Sequence, residues 1–495
     1  MKIFHKTPLA LGIAAGISLL AASTGAQAGN TGTDLNLSAK ARAGGMAGAA
    51  YTMPQEASAA VFGNPATLTQ FKGINVNFGA SFITLMDPQI QQESTITGGP
   101  FDGYYKNKST SDANNYVIPD IGITLQVSPN LVLGTGLELD SGLGTDHRDD
   151  QFSLLGGAFG IGIPLLVEVI SFSANLAAAY QVTDELSVGA SATIGFGLAQ
   201  LGTAGPTTGL AALNAGLTGL GVLPAAGGAT TLSDFGGTSA SVHDVGFGAS
   251  LGATYLLQEG VMLSATVKSP VSYNYRDIIY ADQAAVPAVH GHNGYQDLTI
   301  QNPTEIIMGV AFNDVFMPGL LVEADAVWKN WSDAQTFEDV FEDQWLLTIG
   351  AQYKTGDWTY RAGYSYAQDI LSDKPNNTLG GLDGLGTIPL GEGPLSGLSY
   401  DVVELVQMAL VPVIWNHTLT AGIGYQITDA ISVDGFVSYS FAEKRSRTPS
   451  NIDGLAPLLI GALTTDFSTS NVDTKYTANL DAEIMAGIGI NIALP

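Results

Sequence analysis

From Asp357 to Tyr366 apolar and polar positions alternate one by one. Trp358, Tyr360, Ala362, Tyr364 and Tyr366 share one face, with Asp357, Thr359, Arg361, Gly363 and Ser365 on the other. Trp415 to Ile427 repeats the pattern: His417, Leu419, Ala421, Ile423 and Tyr425 stand opposite Asn416, Thr418, Thr420, Gly422, Gly424 and Gln426. Ile74 to Phe82 does the same, against Asn75, Asn77, Gly79 and Ser81. A period of two predicts β-strands, and segments of about ten residues are long enough to cross a bilayer at a tilt. The polar faces are rich in Gly, Ser, Thr and Asn, which suits a wet or crowded lumen. A soluble sandwich would bury its apolar face and use shorter strands.

Strands are predicted at 74–84, 119–127, 131–139, 170–182, 186–197, 241–257 and 261–276, then at 304–313, 320–331, 344–354, 357–367, 414–427, 431–442 and 476–493. The connections alternate in length. Short ones such as Ser128-Pro129-Asn130, Thr183-Asp184-Glu185 and Thr428-Asp429-Ala430 follow long ones over 85–118, 140–169, 198–240, 277–303, 332–343, 368–413 and 443–475. Short periplasmic turns alternating with long external loops are the signature of an outer-membrane barrel. The expected fold is all-β: a transmembrane antiparallel β-barrel of about fourteen strands. Trp331, Trp345, Trp358 and Trp415 at strand ends, with Trp328 slightly further in, are expected to form an aromatic girdle.

The N-terminus adds an address. Lys2 and Lys6 precede the apolar run Leu9–Leu20, and Ala26-Gln27-Ala28 is a small-residue cleavage site. Residues 1–28 therefore read as a secretory signal peptide, too short to be a spanning helix. Residues 29–73 are then left ahead of the barrel, which takes 74–495. Removing Lys2 and Lys6 leaves 45 acids against 16 bases, so the net charge moves from −27 to −29. That excludes a nucleic-acid partner, which needs a basic surface. Beyond the signal no apolar run reaches helix-spanning length, and the chain has no Cys. The expected location is the bacterial outer membrane, in contact with its lipid and lipopolysaccharide, as a monomer.

Little in the sequence suggests chemistry. Gly248-Ala249-Ser250-Leu251-Gly252 matches G-x-S-x-G but sits inside an alternating strand, without the strand–turn–helix setting a nucleophile elbow needs. His290 and His292 supply only two ligands in one loop, so no metal site, cofactor or catalytic residue is expected, and the protein is not expected to be an enzyme. Acidic stretches at Asp146–Asp150 and Glu338–Asp343 either bridge divalent cations to lipopolysaccharide or are simply solvated. Two stretches are unusually greasy for loops, Leu210–Leu223 and Val402–Val413, the latter a candidate helix. Exposed apolar surface of this kind marks binding. A general porin would instead need an open lumen and polar constricting loops. By parity Lys268, Lys329 and Arg361 face the lumen, where a cation can hold a carboxylate. Lys329 is expected to pair with Glu323 or Asp325 on its own strand.

One further pattern points to a family. Ala41–Leu68, ARAGGMAGAAYTMPQEASAAVFGNPATL, resembles the N-terminal hatch of FadL-type outer-membrane transporters, with Asn64-Pro65-Ala66 matching the motif just before the first strand. Asn302–Asp333, Tyr360–Leu371 and Asn416–Phe441 resemble later segments of that family. The resemblance implies a hatch (29–73) plugging a fourteen-stranded barrel. It implies uptake of long-chain fatty acids, hydrocarbons or related hydrophobic small molecules: capture in apolar loops, binding in the barrel, and lateral exit at a kink in the third strand. Here that strand runs into Ser141, Gly142, Leu143 and Gly144, and glycines suit a broken ladder. The terminal Ile492-Ala493-Leu494-Pro495 departs from the aromatic ending common among such barrels.

Overall fold

A computed structural model describes residues 35–203 (without 159 and 161), 241–280, 295–370 (without 340) and 416–495 (without most of 450–470), together with residue 408. Fourteen antiparallel strands close into one barrel. They are β1 (Ile74–Met86), β2 (Asn115–Ser128), β3 (Leu131–Asp146), β4 (Leu165–Gln181), β5 (Leu186–Thr203), β6 (Val242–Gln258) and β7 (Val261–Lys268). The second half comprises β8 (Glu305–Asn313), β9 (Leu320–Lys329), β10 (Gln344–Thr355), β11 (Trp358–Ala367), β12 (His417–Thr428), β13 (Ile431–Ser440) and β14 (Ala482–Leu494). β14 lies between β13 and β1 and closes the wall, from Ile74↔Leu494 to Met86↔Ala482. Closure leaves the sheet without a free outer edge strand, as hydrocarbon requires.

The alternation resolves into two faces of opposite character. Phe78, Phe82, Phe247, Leu251, Ile349, Tyr360, Ile423 and Ile488 are exposed on the outside. Asn77, Ser81, Ser250, Glu323, Asp325, Arg361 and Asp434 are buried inside. A water-soluble fold would be the reverse, so the outer solvent of this wall is lipid. Trp345 and Trp358 lie at strand ends on that face, and Trp358 packs on Tyr425 at 4.8 Å. Trp331 departs from the expected girdle. The chain turns back after β9, and Trp331 is buried edge-on against Phe337 at 5.0 Å and Phe341 at 5.5 Å. Trp415, the loop Leu210–Leu223 and all of Val402–Val413 but Met408 lie outside the described residues, as do the signal segment and the pair His290 and His292.

Two strands end sooner than their alternation suggests. The run 261–276 divides at Ser269-Pro270, since Pro270 has no N–H for the ladder. Val271–Tyr280 then pairs with Tyr295–Asn302 as a separate hairpin. Its Tyr273 and Tyr275 are buried against Gly195 and Gly197 on the inner face of β5, so the hairpin is folded into the lumen. The run 476–493 divides at Asp481: Asn471–Leu480 joins Gln89–Thr97, Gly103–Thr110 and Glu443–Arg447 in a four-stranded sheet above the wall.

The segment ahead of β1 fills the barrel. It holds α1 (Leu35–Ser38), a tight turn at Gly44–Met46, α2 (Ala57–Phe62) and a further turn at Pro65–Gln70. Nearly all of Leu37–Leu68 is buried although little of it is regular structure. Small residues permit this. A Cβ at Gly363 of β11 would collide with the backbone of Met46 and Ala47, and one at Gly189 of β5 with Pro65 and Ala66.

Candidate functional site

The hatch is tied to the wall around its circumference. On β3, Glu138 accepts from Lys40, whose ammonium also lies 5.0 Å from the Phe62 ring. On β13, Asp434 takes Arg42 at 2.8 Å and Arg361 of β11 at 2.8 Å. On β9, the Glu323 carboxylate accepts the backbone N–H groups of Thr52 at 2.6 Å and Met53 at 3.1 Å. On β1 and β2, Asn77 accepts the Ser58 N–H at 2.7 Å and Asp120 accepts the Ser58 hydroxyl at 2.8 Å. Irregular backbone is tolerated at membrane depth only when its polar groups are met in this way.

Asn64-Pro65-Ala66 owes its composition to this packing. The Asn64 side chain caps the following turn, accepting the Ala66 N–H at 3.0 Å, and donates to the carbonyls of Tyr51 at 3.2 Å and Ala253 of β6 at 3.4 Å. Pro65 occupies the first turn position, where its missing N–H costs nothing. Ala66 lies against Gly189 with no room for a larger side chain.

Two of the three inward cations, Lys268 and Lys329, gather around one acid, while the third, Arg361, lies against the hatch at Gly45. Lys268, Glu305 and Lys329 occupy facing positions on β7, β8 and β9. Glu305 pairs with Lys268 at 3.1 Å and Lys329 at 3.1 Å. Lys329 is therefore not held by Glu323 or Asp325, as its own strand suggested. Those two carboxylates, further down β9, are turned to the hatch at Tyr51–Met53. Arg361 is bound to Asp434 and, at 2.7 Å, to Gln352. Asp140 of β3 places a second carboxyl group near Lys268 and Lys329. It accepts from Asn302, at the end of the folded-in hairpin, at 2.7 Å.

Asp140 also marks a fault in the wall. Between Leu139 and Ser141 the β3–β4 register shifts, leaving Asp140 as a bulged residue. The ladder between β2 and β3 ends at Asp120↔Glu138, although β2 continues back to Asn115 and β3 on to Asp146. Pro119 is the first β2 residue past the last pair, so the residue without an N–H stands where no ladder partner is required. Ser141, Gly142, Leu143 and Gly144 lie on the stretch of β3 bonded to β4 alone. Ser141 donates to or accepts from Ser171 at 2.6 Å. Around the fault Tyr116, Ile118, Leu139, Val167 and Val169 join Tyr273, Leu298 and Ile300 of the hairpin in one apolar cluster. A small cavity, about 30 Å³, lies between Ser38 and Ala47 of the hatch and Thr348, Ser365, Thr418 and Ser438 of the wall.

Ser250, centre of the G-x-S-x-G match, faces inward from the middle of β6 and bonds to Ser191 at 2.7 Å, with no turn to expose it. No group of residues suited to a metal occurs among the described residues, and Asp146 of the first acidic stretch is paired with Arg148 at 2.6 Å. Next to it His147 is buried, bonded to the Ser109 hydroxyl. Burial pulls its pKa down from 6.5 to about 4, against the opposing pull of Asp150 and Asp146. The unfolded loop therefore takes up a proton that the folded loop refuses, and the packing of this loop weakens as pH falls from 6.5 towards 4. Limited proteolysis within 147–153 should accelerate over that window, and His147→Asn should flatten the dependence; an unchanged slope would sever the link to His147.

A closed barrel with lipid on its outside, a plug tied to its wall and an apolar cluster inside, beside a break in its ladder, has the form of an outer-membrane channel for hydrophobic compounds. Residues 18–379 match the model of the outer membrane protein transport protein family (OMPP1/FadL/TodX), and the chain belongs to that family, whose members are transport channels and not enzymes. No curated protein matches the sequence. Among solved structures, the toluene transporter TodX of Pseudomonas putida is 19% identical, with 92% of this chain and 98% of that one covered at a TM-score of 0.55. A FadL homologue of Pseudomonas aeruginosa is 14% identical, with 94% and 100% covered at 0.58. The toluene transporter TbuX of Ralstonia pickettii is 18% identical, with 93% and 100% covered at 0.53.

Proposed function

We propose that this protein, exported by its N-terminal signal segment, takes up uncharged hydrophobic molecules of hydrocarbon type and releases them sideways through the wall between β2 and β3. The observation that carries the route is the unpaired interval above Asp120↔Glu138, bordered inside by the apolar cluster of Ile118, Leu139 and Tyr273. A solute leaving there passes from apolar interior to lipid without entering water, which would cost about 0.8 kcal/mol per CH₂. The pairing favours a neutral solute over a fatty acid. Lys268 and Lys329 are already bonded to Glu305, and Arg361 is already bonded to Asp434, so a carboxylate entering here would have to displace an existing acidic partner. The solved relatives named for toluene transport have the same fold, which agrees with this reading.

Deleting Asp140 tests the route. Without the bulged residue β3 and β4 can run in continuous register, and β3 is free to continue its ladder with β2. Uptake of toluene into cells or proteoliposomes should fall by about tenfold or more, while the barrel still shows folded mobility in unheated gels. Full uptake through an assembled variant would exclude this opening as the exit. Uptake of oleate at the rate of toluene by the unaltered protein would overturn the preference for a neutral solute.

A further inference from the structure

The basic residues of this acidic chain are unevenly placed. Sixteen follow residue 28, and six of them, Lys106, Lys108, Lys444, Arg445, Arg447 and Lys475, belong to the four-stranded sheet above the wall. The same four strands contain three acids, Glu93, Glu443 and Asp473. Arg445, Arg447 and Glu443 share the parity of the buried positions, so the other face carries Lys106, Lys108, Lys444 and Lys475 against Glu93 and Asp473, a net +2 in a chain of net −27. Five of the other basic residues, Lys40, Arg42, Lys268, Lys329 and Arg361, are committed to hatch and lumen.

The sheet has a defined inside and outside. Ile90, Ile96, Val472, Tyr476, Ala478 and Leu480 are buried, and Ala478 and Leu480 pack with Ile83, Leu85 and Met485 of the lumen cluster. The other face is therefore the upward continuation of the lipid-facing wall of β1, β13 and β14. The side-chain parity changes at Asp87, which has φ +52°, and at Asp481, just where the sheet leaves the barrel. Directly below on the outer surface lie Phe82, Met86, Tyr439, Phe441 and Ile484. Above them the outer face presents Tyr104, Lys106, Lys108, Lys444 and Lys475. Register brings Lys106 and Lys475 to either side of Glu93. Lys106 bonds Glu93 at 2.9 Å and Lys108 approaches Asp87 at 3.6 Å, both on the surface, where such pairs hold a cation weakly. Among the described residues Lys444 and Lys475 form no ion pair.

We infer that this sheet face is a docking surface for the phosphate-bearing headgroups of lipopolysaccharide in the outer leaflet. The occupant must be anionic, to complement a basic island in an acidic protein. It must also lie beside the wall immediately above the apolar belt, and the headgroup layer of the surrounding leaflet is at that height. A soluble anion would have no reason to be met on the outside of the barrel in line with the lipid face.

The test uses the full-length protein in detergent, titrated with purified rough lipopolysaccharide, against Lys106→Ala Lys444→Ala Lys475→Ala. A lysine near an anionic surface contributes roughly fivefold, so the triple variant should bind about a hundredfold more weakly. Dephosphorylated lipopolysaccharide should weaken binding to the unaltered protein similarly. Lys72→Ala Lys354→Ala, two exposed lysines near the short-turn end, should change nothing. Arg replacements of the three sheet lysines should retain binding, which separates loss of charge from loss of fold. Equal binding by the triple variant, indifference to dephosphorylation, or equally tight binding of heparin would each overturn the assignment, the last by showing a site for any polyanion.

Discussion

Toluene uptake by a Thr52→Cys Ser264→Cys variant is expected to fall by about tenfold or more on oxidation and to return on reduction. Thr52 belongs to the hatch and Ser264 to β7, and their hydroxyl oxygens lie 2.8 Å apart, so two sulfurs there need only a small shift to bond. The chain has no Cys of its own, so no other disulfide competes. The lock grips the hatch where Glu323 holds Thr52 and Met53, in the middle of the plug. A second lock supplies the contrast. Thr69 and Ser187 are 2.9 Å apart, but Thr69 lies only five positions before β1, where the chain already fixes the hatch to the wall. Thr69→Cys Ser187→Cys should therefore cost little on oxidation. Loss of transport from the first lock and not the second would locate the motion in the hatch body. Full uptake with the first bond formed would mean that solute passes a stationary hatch.

The second large effect is expected at Glu305. This carboxylate is buried and shared by Lys268 and Lys329, and removing it leaves one buried and one partly buried ammonium group without their common partner. Removing one member of a buried ion pair typically costs 3–5 kcal/mol, at about the upper end where two cations also repel each other. Glu305→Leu should lower the urea midpoint of the barrel, measured by the fraction retaining folded gel mobility. Glu305→Gln should be milder and reveal the functional consequence. With its positive charge no longer balanced, the cluster should bind oleate at least about tenfold more tightly, with toluene unaffected. Adding Lys329→Met should restore both the stability and the preference. Unchanged oleate affinity in Glu305→Gln would remove the charge balance as the basis of selectivity.

The fold was legible in the sequence because a lipid-facing wall imposes a strict rule at every residue. Each spanning strand needs apolar positions at period two on one face, and the short turns of one rim contrast with the long loops of the other. From these alone came fourteen strands, most bounded within a few residues. The hatch was legible through the resemblance of Ala41–Leu68 to the hatch of a known family, and the structure supplies the reason for that composition: small side chains fit against the wall and Asn64 caps the turn at Pro65 and Ala66.

Other features obey no local rule. Val271–Tyr275 alternates as a wall strand does, and nothing local says that it will leave the wall and line the lumen. Gln89–Thr97 and Asn471–Leu480 lie almost four hundred positions apart and meet only because closure of the barrel puts β1 beside β14. Lysines scattered from 106 to 475 become one basic face for the same reason. Parity correctly turned Lys268, Lys329 and Arg361 inward. Their partners Glu305 and Asp434 sit on neighbouring or more distant strands, however, so pairing depends on register.

The sequence by itself therefore determined which side of each strand meets lipid and how many strands cross, since these follow from periodicity, and its family resemblance in Ala41–Leu68 implied the plug ahead of them. Only the tertiary structure decided which charges neutralise each other, where the β2–β3 ladder ends and where the basic residues gather. Those properties arise from strand register and barrel closure, which bring together residues that no local pattern connects.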